Sequence, residues 1–365
     1  MKKFSVSELR DVLFPCGRTF LDKKEDILYF NWTASSVEFI FHGTSLNASF
    51  RADCGEEIEG LPFDENAPRR QTWPWVSVFL DDMPMPIRKF EVSSPNETWL
   101  LYQSREPQTH RIRLLKRTEN LKTFLGLTAF HAEGEFLSPE RPVRKRIEFV
   151  GDSITCGYGN MSQERDRGFF SDEEDGWLAY GVRAARQLDM EYSCVSVSGI
   201  TALRYEAMAG EFAMEELYAY TDMVCQSKLG MAPEHWDFAA YKNDYVVVNL
   251  GTNDAFALLF NDLSPEDARF SERYAKFVRQ IRDLNGPDTV IICALGSMDY
   301  YLYHDISRAV ETYRQHSGDQ NIYTCRFRPM SPVDGFGAAG HPSLATHEKM
   351  ASELVRLIKT IEEDT

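Results

Sequence analysis

Four short segments hold the side chains through which this chain could do chemistry. The first is Gly151-Asp152-Ser153-Ile154-Thr155, directly after the strand-like run Ile147-Glu148-Phe149-Val150. A serine hydroxyl becomes a nucleophile at neutral pH only when a base takes its proton, and it needs an exposed turn to reach a substrate. Ser153 could equally cap the next helix. Asp152 reads as a structural hydrogen-bonding residue rather than a metal ligand, because no histidines or carboxylates accompany it at ligand spacing. The second segment is Ser196-Val197-Ser198-Gly199-Ile200-Thr201. Gly199 would let a backbone N–H face a site without a Cβ in the way, or it is an ordinary loop glycine. The third is Gly251-Thr252-Asn253-Asp254, after the apolar run Asp244–Leu250. The Asn253 amide is a candidate oxyanion donor, and Asp254 is expected to cap the following helix. The fourth is Gly335 to Ser343, where Pro342 keeps His341 out of helical conformation. Such a loop histidine could serve as general base toward a serine. His347, six residues further on, is its rival.

These segments need a frame. From Arg146 onward, apolar strands alternate with amphipathic helices: 147–150, 191–197, 244–250, 289–295 and 321–325 read as strands. The alternation implies a parallel sheet with helices on both faces, whose ligands gather beyond the carboxyl ends of the strands. Ser264 and Pro265 read as N-cap and first residue of a helix carrying the stripe Phe270, Tyr274, Phe277, Val278 and Ile281. Met350, Leu354, Leu357 and Ile358 form a second stripe. The first part of the chain has another texture. Its short alternating runs, 36–41, 75–80, 111–116 and 124–130, suggest an all-β sandwich. The polar hinge Ser138-Pro139-Glu140-Arg141-Pro142 marks the expected boundary, giving units of residues 1–140 and 141–365. The acidic stretch Met161 to Asp175 reads as a solvated loop or as a lid over the serine turn.

Composition narrows the partners. The 365 residues carry 56 Asp+Glu against 40 Lys+Arg, a formal net charge of -16. That field repels phosphate backbones and anionic membranes. No window approaches the ~20 apolar residues of a membrane span. The seven cysteines form no C-x-x-C pair, which fits a reducing compartment and no structural metal. The basic start Met1-Lys2-Lys3 has no apolar run behind it, so a cytoplasmic protein is expected.

Taken together, Gly151-Asp152-Ser153, Gly199, Gly251-Thr252-Asn253-Asp254 and His341-Pro342 resemble the four blocks of the SGNH (GDSL-like) hydrolases. The longer stretch Gly151 to Asn160, His341-Pro342-Ser343 with Ala345-Thr346-His347, and the segments Gly17–Phe20, Asn31–Ala34 and Phe41–Leu46 resemble one branch. That branch is the two-domain acetyl xylan esterases of carbohydrate esterase family two. The resemblance implies an α/β fold, a flavodoxin-like SGNH hydrolase domain with a parallel sheet, preceded by an all-β sandwich (jelly-roll-like) domain. It implies that Ser153 attacks an acetyl ester, that His341 carries its proton, and that Ser153, Gly199 and Asn253 hold the oxyanion. It implies a small-molecule or oligosaccharide ester as partner, with no cofactor and no metal. Many relatives place an Asp three residues before the histidine, where this chain has Ala338. A Ser–His dyad oriented by a backbone carbonyl near Ala338 or Ala339 is therefore expected, with Asp334 as fallback. No aromatic flanks His341, so stacking on a sugar there is not expected. An SGNH hydrolase for another ester or thioester, and a carbohydrate-binding protein without turnover, are the alternatives.

Overall fold

The computed structural model describes residues 1–58, 66–138, 143–168, 170–207 and 212–364. The expected boundary at 140/141 lies outside them, as does most of the hinge.

The N-terminal part is antiparallel. Nine strands form one sheet, built on Ser36–Ala52, Asn96–Lys116 and Leu125–Leu137. Burial along Ser36–Ala52 alternates, as a strand with one face on a core must. Val37, Phe39 and Phe41 point inward, then Leu46, Ala48 and Phe50. The parity changes at Thr44, where Gly43 to Ser45 faces the single step Gly134 to Glu133 on the neighbouring strand. This bulge keeps the apolar face turned to one core as the strand continues.

The C-terminal part holds five parallel strands in the order Glu191–Ser196, Arg146–Gly151, Tyr245–Asn249, Val290–Leu295, Ile322–Arg326. Numbered along the chain this is 2-1-3-4-5, the flavodoxin-like order, whose crevice opens between the first and third strands. The strands read as continuous apolar runs because both faces are covered. Val246 and Val248 pack into one core with the stripe Phe270, Tyr274, Phe277, Val278 and Ile281. Tyr245 and Val247 pack into the other with Met350, Leu354 and Ile358. The helix of the first stripe runs Phe270–Asn285, not from Pro265. Ser264 instead closes a separate turn, accepting from Asp267 N–H at 3.1 Å and Ala268 N–H at 3.0 Å.

The two parts are not beads on a string. Trp32 is fully buried in a core of the C-terminal part and donates to Thr221 O at 2.7 Å. Arg18, also fully buried, pairs with Glu148 on the first parallel strand at 2.9 Å.

Candidate active site

The parallel register levels three strand ends, since Gly151 lies opposite both Ser196 and Asn249. The turns carrying Ser153, Gly199 and Asn253 thus leave the sheet side by side. Asp152, not Ser153, caps the short helix Ser153–Cys156, accepting from Ile154 N–H at 3.0 Å. Ser153 is therefore a first-turn residue with its hydroxyl free for other work. Gly151 is required by close approach: a Cβ there would sit 2.0 Å from Thr155 Oγ1.

His341 meets Ser153. Its Nε2 lies 2.9 Å from Ser153 Oγ, and its Nδ1 lies 3.1 Å from the carbonyl oxygen of Ala338. A hydrogen on Nδ1 donated to that carbonyl leaves Nε2 as the acceptor facing the serine. Local backbone makes this possible. Ala339 (φ 49) and Gly340 (φ 70) are both left-handed, which turns the Ala338 carbonyl back toward the His341 ring and its N–H. Burial lowers the His341 pKa to about 4, against the raising effect of the Ala338 and Ala339 carbonyls. Tyr158 stacks on the imidazole with centroids 4.1 Å apart, so an aromatic does adjoin His341, supplied by the serine segment.

Gly199 takes φ +79, in the left-handed region that glycine enters without strain. Neither its N–H nor that of Ser153 has a hydrogen-bond partner among the described residues. The Asn253 amide donates to Ile200 O at 3.0 Å and lies 3.5 Å from Asp152 Oδ2. Asp254 does not cap a helix, contrary to expectation, because the helix Thr252–Phe260 already contains it. Its buried carboxylate accepts from Ala202 N–H (2.8 Å), Leu203 N–H (3.2 Å) and Tyr205 OH (3.1 Å), pinning the chain just beyond Gly199. Burial pushes Asp254 up to about 6 and Asp152 up to about 7, the latter helped by the charges of Asp254 and Asp299.

The rival bases separate cleanly. His347 is fully buried, accepts from Tyr180 N–H at 3.2 Å, and is pushed by burial to about 3. It is a core histidine. Asp334 pairs with Lys349 at 2.6 Å. Within the stretch Met161 to Asp175, residues 163–166 and Asp172 are exposed, as in a solvated loop, while other described residues are tied into the site. The carbonyls of Gly159, Arg167 and Arg165 accept from Ala338 (3.1 Å), Ala339 (2.7 Å) and Gly340 (3.1 Å) N–H, bracing the histidine loop. Glu174 and Asp175 are buried, as the pairing of Asp175 with Arg117 at 3.2 Å allows. Beside Gly199 a cavity of ≈ 470 Å³ opens, walled by Ile200, Phe212, Leu217 and Val224, with Leu121 and Lys228 also lining it.

Residues 149–349 match the GDSL-like lipase/acylhydrolase family, and residues 16–139 match the carbohydrate esterase 2 N-terminal domain. The chain belongs to the GDSL-like lipase/acylhydrolase family. It is 31% identical over 336 residues to the cellulase/esterase CelE of Acetivibrio thermocellus, covering 90% of this chain but 37% of that protein's length. It is 26% identical over 346 residues to the acetylxylan esterase / glucomannan deacetylase of Cellvibrio japonicus, covering 89% of this chain and 84% of that one. A family two carbohydrate esterase from Clostridium thermocellum, solved in complex with cellohexaose, superposes with TM-score 0.80 at 27% identity, covering 96% of this chain and 99% of the other. The fold is shared with the acetyl xylan esterase Est2A of Butyrivibrio proteoclasticus, TM-score 0.82 at 21% identity, over 99% and 98% of the two chains.

In this member of the GDSL-like lipase/acylhydrolase family, several supports lie outside the four motif blocks. Tyr158 stands within the serine segment, five residues after Ser153, and that spacing is its only signal. The brace at 165–167 carries none, because backbone carbonyls do its work. A first expectation follows for Asp334. Asp334→Ala removes a partner of Lys349 and nothing that touches His341, so ester hydrolysis should stay within about twofold of the parent, since it takes away no group that touches the reacting atoms. Steady-state kinetics on an aryl acetate checks this; a loss near that of His341→Ala would show that Asp334 orients the base.

Proposed function

We propose that this protein is a serine esterase that removes acetyl groups from O-acetylated sugars or oligosaccharides through an acetyl-enzyme. The observation carrying the proposal is the dyad, Ser153 Oγ at 2.9 Å from His341 Nε2, with Nδ1 on the Ala338 carbonyl. Ser153 Oγ attacks the acetyl carbonyl while Nε2 takes its proton. The resulting oxyanion faces the N–H groups of Ser153 and Gly199, with the second hydrogen of the Asn253 amide, whose contact with Asp152 Oδ2 is long at 3.5 Å, as third donor. The C–O bond to the sugar breaks as Nε2 returns the proton to the departing alcohol. Water then repeats the sequence on the acetyl-enzyme, with His341 as base, releasing acetate and Ser153. The relatives named above, an acetylxylan esterase among them, support the acetyl and sugar assignments. We include in the proposal an accessory, jelly-roll-like domain of residues 1–140, a catalytic domain of residues 141–365, and a cytoplasmic location.

The cavity beside Gly199, with its apolar walls, favours a second reading: an SGNH hydrolase for esters or thioesters of longer acyl groups. One assay separates the readings. Aryl esters from acetate to octanoate, and acetylated xylo-oligosaccharide, are compared by initial rate. The proposal expects acetate to be fastest among the aryl esters and acetate to be released from the oligosaccharide. A maximum at longer chains would favour the second reading, and sugar binding without hydrolysis of any ester would favour a binding protein without turnover.

A further inference from the structure

We infer that Glu119, a residue of the N-terminal part, is a positioning residue for the Gly199 turn, so that an oxyanion donor is set from outside the hydrolase fold. The inference rests on the proposed roles of Ser153 and Gly199 and adds a residue to them. Glu119 lies between the strands Asn96–Lys116 and Leu125–Leu137 and is buried. Its Oε2 accepts from Ser198 N–H at 2.7 Å. The same oxygen accepts from the thiol of Cys156, at 3.7 Å. One carboxylate oxygen thus joins the turn that holds Gly199 to the helix that opens with Ser153. The N–H groups of Ser153 and Gly199, which have no partner among the described residues, sit on these two segments.

The turn needs such a tether. Gly199 is exposed, and the place of its missing Cβ meets nothing within 4 Å, so no side-chain packing holds it. Beyond it, the Asn253 amide holds Ile200 O, and Asp254 holds the N–H groups of Ala202 and Leu203. Before it, Ser198 N–H is held by Glu119. Only the two backbone dihedrals of Ser198 separate that N–H from the N–H of Gly199. A carboxylate acceptor on a backbone N–H is about twice as strong as a neutral one.

Glu119 is itself fixed. The buried Lys116 ammonium donates to the carbonyls of Glu119 (2.6 Å) and Thr118 (2.8 Å). Glu119 N–H donates to Glu174 Oε2 at 3.1 Å. Burial, then the Glu119 charge, hold the Glu174 carboxyl well above its ordinary range. Glu174 lies near the end of the stretch whose middle braces the histidine loop, so one polar cluster reaches both the donor side and the base side of the site.

The test uses the full chain with Glu119→Ala, Glu119→Gln and Glu119→Asp. It reads kcat and KM on an aryl acetate, and hydrogen exchange of the peptide spanning Ser198 to Ile200. For Glu119→Ala, kcat should fall ~10–100-fold, short of the effect of deleting an oxyanion donor outright, with KM changed less than about threefold. Glu119→Gln, whose amide oxygen still accepts the Ser198 N–H, should restore most of kcat. Exchange at the turn should quicken in Glu119→Ala and not in Glu119→Gln. If Glu119→Ala does not fold, Glu119→Asp, one methylene too short, should show the same kcat loss. Unchanged kcat in the shortened variants, a loss carried by KM, or a glutamine variant as impaired as the alanine one would overturn the inference. If the wild type hydrolyses no ester, the proposed function falls on its own. Exchange then decides the tether, with unchanged exchange in Glu119→Ala rejecting it.

Discussion

Ser153→Ala and His341→Ala should each lower kcat on acetyl esters by ~10⁴-fold or more, with KM little changed, and the double variant should be no worse than either single one. The reason is that the two groups act as a unit. Without His341 the hydroxyl keeps its proton; without Ser153 the base has nothing to activate. What survives is binding and whatever the oxyanion donors still offer to attack by water. The pH profile carries the same logic. Only neutral His341 is a base, and burial holds its pKa down to about 4. The rate kcat/KM should therefore be flat above about pH 5 and fall about tenfold per unit below 4. Stability has its own acid limb. The folded pKa values of His341 and His347, about 4 and about 3, both lie below the ordinary histidine value of 6.5. Their contribution is present above pH 6.5 and is lost as pH falls through the folded values, where the unfolded chain binds protons the folded one resists. Melting curves taken across pH 3–8 separate the two effects. A rate that already declines between pH 7 and 6 while the fold is intact would show that His341 is not so depressed. Additive losses in the double variant would show that Ser153 and His341 do not act as a pair.

How far this site was legible in the sequence depends on what kind of group each part uses. Ser153, Gly199 and Asn253 each follow an apolar strand, and strand runs are the strongest signal a parallel sheet leaves; His341 lies in a loop before the last helix, where Pro342 was its signal. Their order along the chain also agrees with a sheet whose strand ends are level at Gly151, Ser196 and Asn249. The absence of an acid at Ala338 left two expectations, a backbone carbonyl near Ala338 or Ala339 and Asp334, and the resemblance to the family two esterases favoured the carbonyl. The structure supplies the backbone reason, two successive left-handed residues at Ala339 and Gly340. Asp254 was misread because a carboxylate next to a turn normally caps the helix that follows. Here the helix starts two residues earlier, and the carboxylate reaches across to Ala202 and Leu203. The acidic stretch was half legible: its charges suggest solvent, which holds for Glu164, Asp166 and Asp172 but not for Glu174 and Asp175. Burial of Glu174 and Asp175 depends on Glu119, Arg117 and Lys116, residues more than fifty positions away with no periodic relation to them. Such pairings leave no local trace. The N-terminal strands were legible as alternation but not in extent, since the bulge at Thr44 shifts the apolar parity and hides the continuation of Ser36–Ala52.

Arg18→Ala should destabilise the folded protein by ~3–5 kcal/mol, the usual result of leaving a buried charge without its partner. Arg18 and Glu148 are essentially inaccessible, at 0% and 1% side-chain exposure, and form two hydrogen bonds, Nε to Oε1 at 3.0 Å and Nη2 to Oε2 at 2.9 Å. The guanidinium also donates to the carbonyls of Tyr218 (2.6 Å) and Tyr220 (2.7 Å), and lies over the rings of Tyr218, Trp236 and Phe238. Truncation to alanine strips Glu148 to Tyr218 OH at 2.9 Å and Asn243 at 3.5 Å, orphans two carbonyls and opens a void. The residue comes from the N-terminal part and its partner from the first parallel strand, so the pair is a joint between the two sheets. Chemical denaturation followed by both fluorescence and ester hydrolysis measures the effect. The midpoint should drop for Arg18→Ala and for Glu148→Leu, and activity should be lost in step with the fold, not before it. Arg18→Met with Glu148→Leu removes both charges and keeps much of the volume, so it should recover part of the loss. Single losses below ~1 kcal/mol would show that the pair is not the joint its geometry describes. A double variant that loses the sum of the singles would place the stability in the carbonyl contacts of Arg18 rather than in the ion pair.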